Sequence, residues 1–233
     1  MLKEELFEKY PYKTELHAHT NPASGCSEFK PAELVKVFAD NGYNSLVIAN
    51  HFMKGKDDET AEKRAQAFLK DFDDATKAAA GRINVCLGME IRFVQNNNDY
   101  LVYGIDRGDV EKAFYYFEKG IDVFYREFKN DKNVIIQAHP FRDGMESVNP
   151  ASLDGIEVFN LHAGHNSRIS HAESYAAENN FRILTAGLDF HHPWQLASAA
   201  LRTAKEIKDS YDVSEVLKSG DYIFSVGNSI ILP

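Results

Sequence analysis

Histidines and carboxylates recur in this chain where short apolar segments end. His17 and His19 stand two apart in "ELHAH". In an extended strand, residues i and i+2 point to the same side, so both rings face one way. His51 follows "SLVIAN", Glu90 follows "INVCLGM" and His139 follows "NVIIQA". Glu157 lies within "GIEVFN", and Asp189 and His191 close "RILTAGLDFH" as a second i, i+2 pair. Asp99 is the exception, because it precedes its apolar run, "YLVYG". Imidazole and carboxylate together suit zinc, manganese or iron. A carboxylate such as Glu90 has two oxygens and can bridge two cations. The set is larger than one ion needs, so a centre of two or three divalent metal ions is expected.

Other candidates are weaker. His171 and His192 read as ordinary surface histidines. His162 and His165 lie in a loop, where solvated residues and proton donors look alike. Cys26 follows soon after the first pair. It reads either as a thiolate ligand, since metals lower thiol pKa, or as a small buried residue.

Converging these residues requires strands that share one rim. "YKTELHAH", "SLVIAN", "INVCLGMEIRF", "DYLVYGI", "NVIIQAH", "GIEVFN", "FRILTAGLDF" and "DYIFSV" read as strands. Helical periodicity marks "PAELVKVFADNG", with Pro31 in its first turn and Gly42 as its stop. It also marks "DDETAEKRAQAFLKDFDDATKAAAG", "DVEKAFYYFEKGIDVFYREFKN" with a break near Gly120, "SRISHAESYAAENN" and "VSEVLKSG". Alternating strands and helices predict an α/β protein with a mainly parallel sheet, closed into a barrel whose carboxyl-end rim holds the site. No glycine-rich phosphate loop of the dinucleotide or Walker type is present, which counts against a nucleotide-binding open sheet.

Composition agrees. The 233 residues are 44% hydrophobic and 26% charged, a globular balance that one domain spanning 1–233 can bury. The net charge of −9 gives a polyanion no long-range attraction unless bound cations invert the field locally. No apolar run reaches the length of a membrane span, and the opening "MLKEELFEKYPYKTE" has no signal-like apolar stretch. Cytoplasmic residence, with Cys26 and Cys86 as free thiols, is the expectation.

The ordered motifs "ELHAHT", "PAELVKVFADNGYNSLVIANHF", "GMEI", "DYLVYG", "QAHPF", "GIEVFN" and "GLDFH" resemble the PHP superfamily, named for polymerase and histidinol phosphatase. The resemblance runs over nearly the whole chain. It implies a distorted (β/α)7 TIM-like barrel carrying a trinuclear metal cluster. By resemblance, His17, His19, Glu90 and Asp189 hold the first ion. Glu90 bridges to a second, held also by His139 and Asp99, and His51 and His191 hold a third. This chain departs from the pattern in three places. Asn50 stands where many members have Asp, Asp99 where many have His, and Gly25 and Cys26 where members offer a His or Asp to the third ion.

Such a cluster supports metal-assisted hydrolysis. Coordination lowers the pKa of water from 15.7 to about 7, so a metal-bridged hydroxide would serve as nucleophile. Arg142, in "HPFR", suits a bidentate phosphate clamp, and His165 or His162 a proton donor to the leaving group. The expected function is a metal-dependent phosphoesterase acting on a small phosphate ester, as the family's histidinol-phosphate phosphatases do. One alternative is a nuclease acting on nucleotides or single-stranded ends, which the lack of a basic stripe or nucleic-acid module disfavours. Another is a non-catalytic metal-binding domain, which the near-complete ligand set disfavours.

Overall fold

Pro31 fixes the start of one helix and Gly42 its end, and the same local rules set most element boundaries in the computed structural model. The structure describes residues 2–233; Met1, where the expected domain begins, lies outside the described residues. In chain order come α1 (Lys3–Lys9), β1 (Tyr12–Ala18), α2 (Pro31–Asp40), β2 (Ser45–Ile48), β3 (His51–Phe52) and α3 (Ala61–Ala79). Then follow β4 (Asn84–Leu87), β5 (Met89–Arg92), β6 (Asp99–Tyr103), α4 (Arg107–Ala113), α5 (Ile121–Phe128) and β7 (Val134–Gln137). The chain closes with β8 (Gly155–Asn160), α6 (Ile169–Glu178), β9 (Ile183–Gly187), β10 (Ala199–Thr203), α7 (Ser210–Ser219), β11 (Tyr222–Val226) and β12 (Ser229–Ile231).

Gly42 takes a φ of +70°, a conformation that glycine adopts without a Cβ penalty, and this stops α2. The long helix starts later than its charged run suggests. Thr60 caps it by accepting a hydrogen bond from the Lys63 N–H at 3.3 Å, so "DDE" stays outside. Gly120, with a φ of +79°, separates α4 and a short 3₁₀ turn from α5, as its position in the periodic run predicts. Among the described residues no helix is long and apolar enough to cross a membrane.

The strands form two six-stranded sheets, ordered β12-β11-β10-β1-β2-β4 and β3-β5-β6-β7-β8-β9. The α/β class holds; among the described residues no ladder joins the two sheets into the closed ring expected. One cause lies on β1. Its first half pairs antiparallel with β10 through Tyr12, Lys13 and Thr14. That occupies the edge β9 would need, and only the isolated bridge Ala18–Phe190 remains for the β9 side. Gly88 splits the expected single strand over residues 83–93 into β4 and β5. A Cβ there would stand 2.5 Å from Val47 Cγ1, so the backbone passes at a distance only glycine permits. On one side of it β4 pairs with β2, and on the other β5 pairs with β3, so the chain changes sheet at this point.

β6 runs antiparallel to both its neighbours, β5 and β7. The start of β6 therefore lies at the same end as the finish of β5, with Asp99 opposite Arg92. This explains how Asp99 joins the other candidates despite standing at the beginning of its strand. Buried apolar side chains, among them Leu16, Val47, Leu101, Ile136, Leu201 and Phe224, form one continuous cluster from both sheets. Burial of each such side chain contributes about 1.5–3 kcal/mol, which gives the rim a rigid support.

Candidate metal centre

The eight residues expected as ligands all come together. Nε2 of His17 lies 3.3 Å from Glu90 Oε1 and 3.5 Å from Asp189 Oδ1. Nε2 of His19 lies 3.4 Å from Glu90 Oε2 and 3.3 Å from Asp189 Oδ1. Nε2 of His139 is 3.1 Å from Glu90 Oε1 and 3.9 Å from Asp99 Oδ2. Nδ1 of His51 is 2.7 Å from Glu90 Oε2, and Nδ1 of His191 is 3.3 Å from Asp189 Oδ1. Among the described residues four overlapping triads are close enough to share an ion: His17/His19/Asp189, His17/Glu90/His139, His51/Glu90/Asp99 and His19/His51/His191.

These atoms fit cations rather than each other. His17 Nε2, His19 Nε2, His51 Nδ1 and Glu90 Oε2 are buried without a hydrogen-bond partner. Basic atoms so placed leave an uncompensated desolvation cost that a shared cation removes. His139 and Asp189 carry φ values of +31° and +47°. For residues with a Cβ this left-handed backbone costs about 1–3 kcal/mol each, and such strain gathers at functional sites.

A second layer aims the rings. His17 Nδ1 donates to Glu157 Oε1 at 2.8 Å, which leaves Nε2 free to ligate. Glu157 also accepts from the His139 N–H at 3.1 Å and from Asn160 Nδ2 at 2.9 Å, so it orients the centre rather than joining it. His19 Nδ1 meets Ser24 Oγ at 3.1 Å, and Ser24 in turn donates to Asn50 Oδ1 at 2.9 Å. His191 Nδ1 donates to the carbonyl of Asp189 at 2.8 Å, and its backbone N–H is held by Gln195 Oε1 at 2.6 Å. Ser27 Oγ donates to the carbonyl of His19 at 2.9 Å, tying the loop after β1 to the end of that strand.

The electrostatics are those of a tightly coupled buried set. Burial would raise Asp189, but His17, His19, His139 and Arg142 hold its carboxyl well below the usual range. Glu90 behaves alike: burial opposes, and His51 and His17 prevail. His19 is pushed well below its ordinary value by burial and by His191 and His51, which keeps it in the neutral form a ligand needs.

The remaining candidates fall as follows. Arg142 is at the centre, but its guanidinium donates to Asp189 Oδ2, and to Asn160 Oδ1 at 3.1 Å. It is a partner of the Asp189 carboxylate more than the free phosphate clamp the sequence suggests. His165 is exposed and packs against His162 at 4.4 Å between ring centres. His162 is buried and nearer the centre, 5.6 Å from the His191 ring, and burial brings its pKa down to about 4. Cys26 is exposed. Burial of its thiol pushes the pKa up, but contacts with His191 and His51 outweigh that and bring it to about 6. His171 and His192 lie outside the triads.

Sequence reasoning misses Arg92, Gln195 and the orienting role of Glu157. Arg92 stands two residues after Glu90 and so shares its face, a signal present in "GMEIR".

No family model matches the chain, and no curated protein matches it. Solved structures do. A protein of Bifidobacterium adolescentis predicted to be a metal-dependent phosphoesterase aligns at 18% identity and a TM-score of 0.52, over 88% of this chain and 95% of that one. A two-domain protein of Bacteroides vulgatus, containing a predicted PHP-like metal-dependent phosphoesterase, aligns at 15% identity and a TM-score of 0.63. That match covers 94% of this chain and 66% of the other. PsfC from Pseudomonas syringae aligns at 12% identity and a TM-score of 0.61, over 87% of each. At these identities the likeness shows a shared fold.

Proposed function

We propose that the chain is a PHP-type metal-dependent phosphoesterase that hydrolyses a small phosphorylated molecule. The observation that carries this reading is the convergence of unpartnered ligand atoms from His17, His19, His51 and Glu90 beside Asp189, His139 and His191. Two of the structures with this fold come from proteins predicted to be metal-dependent phosphoesterases. Bound divalent cations would supply Lewis-acid activation of water and neutralise the phosphoryl oxygens.

The chain's own residues do the rest. His17, His19 and Asp189 Oδ1 would hold a first ion. His139 and Glu90 would hold a second, and His51 and His191 a third. Glu157, Ser24 and Gln195 would keep the ligand rings from turning. Arg142 would steady Asp189 with one arm of its guanidinium and present the remaining N–H groups to the substrate. A cavity of about 350 Å³ lined by Phe141, Arg142, Glu146, Arg168 and Tyr175 lies next to Arg142 and suits the part of the substrate beyond the phosphate. His165 or His162, packed ring against ring beside the centre, would serve as proton donor to the leaving group.

Assay of the metal-loaded protein on p-nitrophenyl phosphate, histidinol phosphate, nucleoside monophosphates and a labelled oligonucleotide tests this reading. Hydrolysis of monoesters that stops on chelation is the expected result. Protein that binds neither Mn²⁺ nor Zn²⁺, or that cleaves only the oligonucleotide, would overturn it.

A further inference from the structure

Asp99 and Asp189 are both buried carboxylates at the rim, yet they use their oxygens differently. Asp189 gives Oδ2 to Arg142 and Asn160 and keeps Oδ1 toward His17, His19 and His191. Asp99 gives both oxygens to one partner. Arg92 Nε donates to Oδ1 at 2.7 Å and Arg92 Nη2 to Oδ2 at 2.6 Å. The pair faces across β5 and β6, where Arg92 and Asp99 are register partners.

This side-on geometry matches the planar guanidinium fork to the carboxylate. It occupies the in-plane lone pairs on the inner side of both oxygens, which are the ones a metal ion favours. The nearest imidazole nitrogen, His139 Nε2, is 3.9 Å from Asp99 Oδ2, too long for a direct hydrogen bond. Distance alone puts Asp99 in a triad with His51 and Glu90, but the inner lone pair of each oxygen is already taken by Arg92, which leaves only the outer pairs. The Arg92 side chain is a third exposed while that of Asp99 is 2% exposed, so the guanidinium reaches from the buried carboxylate toward solvent.

Resting on the metal-centre reading above, we infer that Arg92 serves as the fixed cation of the Asp99 corner. Asp99 binds Arg92 instead of a metal ion, and Arg92 offers its remaining N–H groups to the anionic substrate. Nε and Nη2 each spend one hydrogen on Asp99, which leaves three of the five guanidinium hydrogens free. A guanidinium cannot lose its proton or exchange with solution, unlike an ion. The corner thus carries a constant positive charge whatever the metal supply.

The test measures bound metal per chain by elemental analysis after Mn²⁺ loading and desalting. Asp99→Asn is expected to retain the wild-type ion count, because the amide oxygen still accepts one of the two Arg92 N–H groups and no metal bond is lost. Arg92→Gln frees Asp99 and is expected to bind one ion more, or to hold its ions with at least tenfold higher affinity. Inorganic phosphate, followed by calorimetry on the loaded protein, is expected to bind about tenfold more weakly to Arg92→Gln. Arg92→Lys, which keeps the charge, should recover part of that loss. A loss of one ion in Asp99→Asn would overturn the inference while leaving the phosphoesterase reading intact. Unchanged ion count and phosphate affinity in Arg92→Gln, with a wild-type melting curve as the folding check, would overturn it equally. Wild-type protein that binds no metal would remove both readings together.

Discussion

His17 has almost no freedom left in this structure. Its Nδ1 hydrogen is committed to Glu157, its ring is fully buried, and its Nε2 has only Glu90 and Asp189 ahead of it. Replacing it removes a ligand and leaves Glu157 without its partner. His17→Ala and Asp189→Asn are each expected to lower kcat/KM for p-nitrophenyl phosphate by about 10³-fold or more. Lys36→Ala, on the exposed face of α2, should leave activity as it is. Near-wild-type rates in both ligand variants would contradict the assignment. Glu157→Gln acts through orientation, and such outer partners are worth about 10–100-fold in metal affinity. Its signature is a weakened metal Kd by competition with a chelator, with most activity restored at saturating metal. Unaltered affinity would mean that Glu157 only packs.

At the scale of elements, Gly187 ends β9 where the strand passes closest to the centre. A Cβ there would meet Glu157 Oε1 at 2.5 Å and the Cβ of His17 at 2.6 Å. Gly187→Ala is therefore expected to displace both side chains, lowering metal affinity and costing about 1–3 kcal/mol of stability by denaturant titration. Gly25→Ala, whose Cβ would meet nothing within 4 Å, is the neutral comparison. Equal stability and affinity in the two variants would show that the close approach relaxes at no cost. The same strands show what the sequence makes legible. "GIEVFN" reads as a strand over the residues β8 occupies, because a buried parallel strand is a continuous apolar run bounded by turn residues. His17 and His19 are legible because their i, i+2 spacing is the period of β1, whereas Asp189 and His191 lie beyond the end of β9, with Asp189 in a left-handed conformation that the strand period does not describe. The Arg92–Asp99 pair is not legible, because it depends on the register of β5 against β6, which no local pattern encodes. The open seam between the sheets depends likewise on β10 taking one edge of β1. α1 escapes notice because its seven residues bury nothing, and β3 and β12 because two or three residues carry too little periodicity.

For the whole molecule, the centre is a concentration of buried charge that folding must bring together. Glu15, Glu90, Glu157, Asp99 and Asp189 are each 1% exposed or less, in a chain whose net charge is already −9. Two arginines offset part of this, Arg92 on Asp99 and Arg142 on Asp189. Glu90 meets the imidazoles of His17, His19, His51 and His139 and no arginine in direct contact among the described residues, and Glu15 is pushed up to about 8 by burial in spite of backbone N–H bonds from Leu188 and His17. Cations bound between these groups favour the folded chain, since the unfolded chain has no such site. Metal at a hundred times its Kd adds about 2.7 kcal/mol. For a domain of this size each kcal/mol moves the melting temperature by about 2–4 °C, so a rise of roughly 5–11 °C is expected on loading with Mn²⁺ or Zn²⁺. Chelation should reverse it, and His17→Ala should shrink it, because the chain then loses a ligand. The argument needs the shift to depend on the ligand residues and not only on salt. A matching rise in His17→Ala, or with an equal ionic strength of NaCl, would attribute it to screening of the net charge, and identical melting curves with and without metal would deny the cluster any part in holding the fold.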